Sequence, residues 1–173
     1  MNTRMCAGVL AVLICCACAT TTQSAAPVVA PDSVVLERTR CFGTCPAYRL
    51  SIARGGLVHF QSHNPGETLE VHDTVPATVL DSLGRAAERL GFAMLPDTVA
   101  TDRVLCKDLA TDHPTIVVGV FGAQSKQVVY YTGCFTVCCE HTRARALREL
   151  ANFARSIDTI TRASRWIRPG RYR

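Results

Sequence analysis

Residues 47–61 read AYRLSIARGGLVHFQ, and this stretch decides the fold. Tyr48, Leu50 and Ile52 alternate with Arg49 and Ser51, the two-residue period of a strand with one buried face. Gly55-Gly56 predicts a two-residue hairpin turn, because both positions accept positive φ. Leu57–Gln61 then returns antiparallel, with Val58 and Phe60 on the inner side. A tight hairpin this early argues for an antiparallel sheet.

The segments on either side extend it. Ser33–Thr39 (SVVLERT) reads as a preceding strand. Asn64-Pro65-Gly66 predicts a turn, and Thr68–His72 a fourth strand with Leu69 and Val71 inward. At Pro76 the period changes. Val79, Leu80, Leu83, Ala86, Ala87 and Leu90 fall at helical spacing. Pro76 suits the first turn, Gly91 is a natural stop, and Pro96 confirms the break. Thr98 to Pro114 is polar and irregular. Thr115–Phe121 (TIVVGVF) and Lys126–Thr132 (KQVVYYT) predict a second hairpin about Gly122–Ser125. Cys134–His141 is a short connection. Ala144–Ile160 is amphipathic, with Leu147, Leu150, Ala151, Ala154 and Ile157 on one face and Arg145, Arg148, Asn152 and Arg155 opposite. The order ββββαββα predicts a single α+β domain, a mostly antiparallel sheet with two helices packed on one face.

The first nineteen residues, MNTRMCAGVLAVLICCACA, have the anatomy of an export leader: Arg4, an apolar run from Met5, and small residues at the end. The run is shorter than the roughly 20 residues that span a bilayer. Residues 1–19 are therefore expected to be a signal peptide of lipoprotein type, with Cys18 as the lipidated residue. Cys16, or cleavage before Thr20, are the competing ends. Residues 20–31, TTTQSAAPVVAP, read as a flexible tether. Residues 32–161 form the domain and residues 162–173 a basic tail. Ala19, not an acidic residue, follows Cys18, which points to the outer membrane of a double-membraned cell. The expected location is the cell envelope on the periplasmic side, held by a lipid anchor. A secreted or soluble periplasmic form is the alternative.

The net charge of +5 is uneven. Residues 143–173 hold nine arginines against Glu149 and Asp158. Export argues against nucleic acid as the partner. A solvated helix face and a frayed end account for these charges. The aromatics Trp166 and Tyr172 among Arg162, Arg165, Arg168, Arg171 and Arg173 also suit anionic head groups.

Ten cysteines divide into four of the leader (Cys6, Cys15, Cys16, Cys18) and six of the domain. In an oxidising compartment the six favour disulfides. Cys41 and Cys45 frame Phe-Gly-Thr between two strands and predict a local bridge. Cys106 and Cys134 flank the second hairpin and predict a longer one. Loop-entropy arithmetic gives roughly 2 kcal/mol for the short ring and roughly 3.6 kcal/mol for the long one. Cys138 and Cys139 have no assigned partner.

Other chemistries compete for these residues and fit them less well. Redox catalysis favours Cys-x-x-Cys at a helix start, whereas Cys41 and Cys45 are one residue further apart and lie between strands. Cys134, Cys138, Cys139 and His141 offer soft ligands, but not at the usual zinc spacing. His59, His63, His72, His113 and His141 sit in no nucleophile signature. Asp102, Asp108 and Asp112 do not match a calcium loop. No phosphate-binding, hydrolase-elbow, zinc-protease or dinucleotide pattern occurs. No catalytic residue, cofactor or metal is expected from the sequence.

Arg38–Leu50, RTRCFGTCPAYRL, resembles an uncharacterised bacterial envelope family marked by Cys-Phe-Gly-x-Cys-Pro-x-Tyr, domain of unknown function 6438. The matching residues are Cys41, Phe42, Gly43, Cys45, Pro46 and Tyr48, and the likeness in element order spans residues 32–160. The resemblance implies an exported or lipid-anchored envelope domain and brings no established activity, cofactor or catalytic residue. In physical terms Phe42 reads as an apolar anchor, Gly43 as the turn, and the cysteines as a clamp. Pro46 keeps Cys45 out of helix, and Tyr48 opens the inward face of a strand. The expected function is a non-enzymatic binding or structural module stabilised by disulfides, whose partner is an unknown envelope protein or ligand. A thiol-dependent redox enzyme or sensor using Cys41 and Cys45 is the alternative.

Overall fold

The computed structural model describes residues 30–99, 108–135 and 141–167. The leader, Cys18, the tether to residue 29, Asp102, Cys106, Cys138 and Cys139 therefore lie outside the described residues.

The strands are β1 (Ser33–Arg38), β2 (Tyr48–Ala53), β3 (Leu57–Ser62), β4 (Glu70–Thr74), β5 (Asp108–Leu109), β6 (Thr115–Phe121), β7 (Lys126–Tyr131) and β8 (Cys134–Phe135). The helices are α1 (Thr78–Leu90) and α2 (His141–Thr161). Six strands form one sheet in the order β4-β3-β2-β1-β6-β7, and β5 pairs with β8 separately. Every strand pair in the main sheet is antiparallel. The α+β architecture read from the sequence is the observed one.

Alternation sets the two faces. Val34 and Leu36 of β1, Leu50 and Ile52 of β2, Val58 and Phe60 of β3, and Val118 and Val128 of β6 and β7 are buried. They form one core with Leu80, Leu83 and Ala87 of α1 and Leu147, Leu150, Phe153, Ala154 and Ile157 of α2. Both helices thus cover the same face, as their apolar stripes predict. Phe153 lies beyond the expected stripe of α2 and meets Phe92 with ring centroids 6.1 Å apart. Arg145, Arg148, Asn152 and Arg155 face water.

The first hairpin differs from expectation by one residue. Ala53 pairs with Leu57, so the connection is Arg54–Gly56, a short 3-10 turn. Gly55 and Gly56 both take positive φ, 77° and 80°. A Cβ on Gly56 would lie 2.0 Å from the Val75 carbonyl oxygen, so the close approach of the chain to this turn also requires glycine. The fourth strand is shifted, running from Glu70 to Thr74.

The sheet edges are unequal. Val99 N–H donates to the Val129 carbonyl at 2.9 Å, and Val129 N–H to that of Asp97 at 2.8 Å. This segment covers the outer side of β7. No strand among the described residues covers the outer side of β4.

Packing continues past residue 161. Arg162 ends α2 in the left-handed region, φ 54°, and Ala163 is fully buried. Trp166 meets Phe60 with centroids 5.3 Å apart. Arg165 lies 4.7 Å over the Trp166 ring and pairs with Asp73. Arg165 and Trp166 thus belong to the folded unit, which takes them out of a free tail. No helix among the described residues is long and apolar enough to cross a membrane.

Candidate functional site

The motif lies between β1 and β2. Cys41 and Cys45 are disulfide-bonded, with Cα atoms 5.5 Å apart. Gly43 takes φ 147°, a conformation that side-chain-bearing residues avoid, so glycine permits a ring this small. The loop is held along its length. At its start Thr39 N–H donates to the Thr115 carbonyl at 3.0 Å, and Thr39 Oγ1 accepts from Thr115 N–H at 2.8 Å. Midway, Phe42 N–H donates to the Asp112 carbonyl at 3.2 Å. At its end Ala47 N–H donates to Asn64 Oδ1 at 3.0 Å, and His63 N–H to the Ala47 carbonyl at 2.8 Å.

Phe42 corrects the sequence expectation. It is no core anchor: 88% of it is exposed. A short ring closed by a disulfide has no length with which to fold back on the core. There Tyr48 already stacks on Phe60 at 5.3 Å. The motif therefore presents an aromatic ring outward from a backbone held by a covalent bond and by hydrogen bonds at both ends.

Beside the loop lies a closed polar cluster. Tyr48 is 1% exposed. Its hydroxyl donates to Asp158 Oδ1 at 2.6 Å and accepts from Arg38 Nε at 2.8 Å. Arg38 Nη2 also donates to Asp158 Oδ2 at 2.7 Å. Burial, then the Asp158 charge, push the Tyr48 phenol far above its ordinary value despite the Arg38 charge. Burial opposes the Arg38 charge, but Tyr48 and Asp158 together outweigh it and hold the guanidinium protonated. Tyr48 is thus a neutral donor near neutral pH. The three side chains satisfy one another and tie β1 and β2 to α2.

The 108–114 segment completes this end of the sheet. Tyr131 Oη donates to the Ala110 carbonyl at 2.9 Å and accepts from His113 N–H at 3.0 Å. Leu109 is 55% exposed. Asp108 and Asp112 are exposed. Cys134 is disulfide-bonded; Cys106, expected as its partner, lies outside the described residues.

The structure also joins residues that the sequence reading left apart. His59 of β3 faces His72 of β4, their rings stacked at 4.7 Å and 7°. His59 Nε2 lies 2.6 Å from Glu70 Oε1. The signal present in the sequence is Glu70-x-His72, a two-residue period that puts both on one face. Its register against His59 is set by the 63–69 connection.

The sequence model of the family described as Domain of unknown function (DUF6438) matches residues 32–160. That span runs from just before β1 to the last residue but one of α2. No curated protein matches the chain.

Proposed function

We propose, for a chain that belongs to the family of this domain of unknown function, that it is a non-enzymatic binding module of the cell envelope whose recognition element is the Cys41–Cys45 loop. One observation carries the reading: Phe42 is 88% exposed on a loop whose backbone is fixed. Burying such a ring in a partner's apolar pocket gains about 1.5–3 kcal/mol. A pre-ordered loop gives up little conformational entropy in doing so. The neighbouring Arg38, Tyr48 and Asp158 are fully engaged with one another, which supports a scaffold beneath the loop rather than reaction chemistry.

The alternative, a redox enzyme, makes a different prediction for the same two sulfurs. Thiol trapping of the exported protein in intact cells separates them. The binding module keeps Cys41 and Cys45 oxidised throughout. A pair found partly reduced, and exchanging with an oxidant or reductant, favours the redox reading and overturns this one.

Lipidation belongs to the same proposal. The apolar leader ends in Ala17-Cys18 and an uncharged tether follows. A diacyl anchor on Cys18 would hold the domain at the membrane while the tether leaves Phe42 free to reach its partner. Cys18→Ala is expected to release the protein into the soluble fraction. Intact soluble wild-type protein beginning at Thr20 contradicts it.

A further inference from the structure

We infer that His59, Glu70 and His72 form a binding site for a divalent transition-metal ion of the zinc and copper class, on the face of the β3–β4 hairpin that the helices leave uncovered. Register places the three residues. His59 pairs directly with His72, and Phe60 with Val71. Residues alternate across a strand, so Glu70 shares the face of His72. Each side chain offers one ligand atom, and the three atoms lie within 4.8 Å of one another.

Both imidazoles converge on one carboxylate oxygen. Glu70 Oε1 is 2.6 Å from His59 Nε2 and 3.9 Å from His72 Nε2. A single His–Glu hydrogen bond needs only one of these rings. The second ring, stacked on the first at 4.7 Å, supplies a third donor to the same small volume. Metal–ligand bonds of about 2.0–2.2 Å put tetrahedral donors about 3.3 Å apart. That spacing falls between the two distances found here, so modest side-chain rotation suffices and the paired backbone stays in place.

The donor set selects the ion. Two imidazole nitrogens and one carboxylate suit zinc, copper or nickel, whereas calcium and magnesium take oxygen-rich shells. The side chains are 40% (His59), 53% (Glu70) and 78% (His72) exposed, so water completes the coordination and the ion exchanges with solvent. On the neighbouring strand the Arg49 charge is engaged by Glu37 at 3.0 Å. A bound ion would join the outermost strand β4 to β3, and binding to the folded state alone raises the melting temperature.

The test titrates zinc and copper(II) separately into the full chain at neutral pH by calorimetry, after alkylation of free thiols. Alkylation matters because Cys138, Cys139 and His141 offer a competing set of ligands. The variants are His72→Gln and Glu70→Gln, with His113→Gln as control. The site predicts one ion per chain and a melting temperature raised by several degrees. It predicts affinity weakened about tenfold or more in the first two variants and unchanged in the control. All three positions are exposed, and circular dichroism confirms that each variant folds. Absence of binding by both ions to the wild-type chain, or binding unchanged in His72→Gln and Glu70→Gln, overturns the proposal.

Discussion

The Tyr48 hydroxyl donates to Asp158 Oδ1 at 2.6 Å, joining residues 110 apart in sequence. It links the strand that follows the disulfide loop to the last turns of α2. Tyr48 thus has a structural role, tying the strand at the end of the Phe42 loop to α2.

Tyr48→Phe removes the donor and leaves the Arg38–Asp158 pair. The expected cost is about 1.5–3 kcal/mol, the range for a hydrogen bond to a charged group, read by urea unfolding. A cost near zero contradicts this role.

The same residue predicts alkaline behaviour. The Tyr48 phenol is raised above its ordinary value of 10.0 by burial first and then by Asp158. Its neutral form therefore contributes stability in full below about pH 10, and that contribution is lost as pH rises towards the folded value. Wild type should lose stability above about pH 10 more steeply than Tyr48→Phe. Parallel pH profiles would show that the phenol is not coupled to folding.

Asp73 acts at the acid end. Its carboxyl is held below the ordinary value of 3.8, first by the Thr74 backbone N–H and then by Arg165. A depressed pKa contributes stability above the unfolded value that is lost as pH falls through the folded one. Asp73→Asn should flatten the acid limb of the stability profile below about pH 4, because it removes the carboxylate's contribution at neutral pH. The variant is then the less stable protein at about pH 7, and the two profiles converge in acid. An unaltered acid limb would show that the Asp73–Arg165 pair adds nothing to folding.

Two residues on α2 separate core from surface. Leu150 is fully buried, so Leu150→Ala should cost about 2–5 kcal/mol. Arg148 is exposed, so Arg148→Ala should cost under about 0.5 kcal/mol. Thermal or urea unfolding checks both, and comparable costs would contradict the assigned faces.

Sequence reading reaches furthest where one period dominates. Tyr48–Ile52 and Leu57–Gln61 alternate cleanly, and both helices carry continuous apolar stripes, so elements and inner faces are legible. The placement of β6 beside β1 is not, because that pairing depends on contacts between segments far apart in the chain that no local pattern records. Trp166 is a single aromatic residue beyond the helix, with no repeat to reveal that it packs on Phe60. Phe42 misleads for a plainer reason. Hydrophobicity predicts burial on average, but a short disulfide ring decides the direction of its side chains by geometry. The His59–Glu70–His72 grouping needs a cross-strand register that the spacing of the residues alone does not fix.

Whether Phe42 recognises a partner is read by photo-crosslinking in intact cells, with a photoreactive residue replacing Phe42. The same probe at Met94, another exposed apolar side chain, is the control, and the Cys41→Ser/Cys45→Ser double variant opens the ring. Loss of so short a ring costs about 2 kcal/mol, a decrement that a folded domain survives and that circular dichroism verifies. A pre-ordered recognition loop predicts a discrete adduct from position 42, none from position 94, and marked loss of the adduct when the ring is open. No adduct from position 42, or one of equal yield from the opened ring, would contradict it.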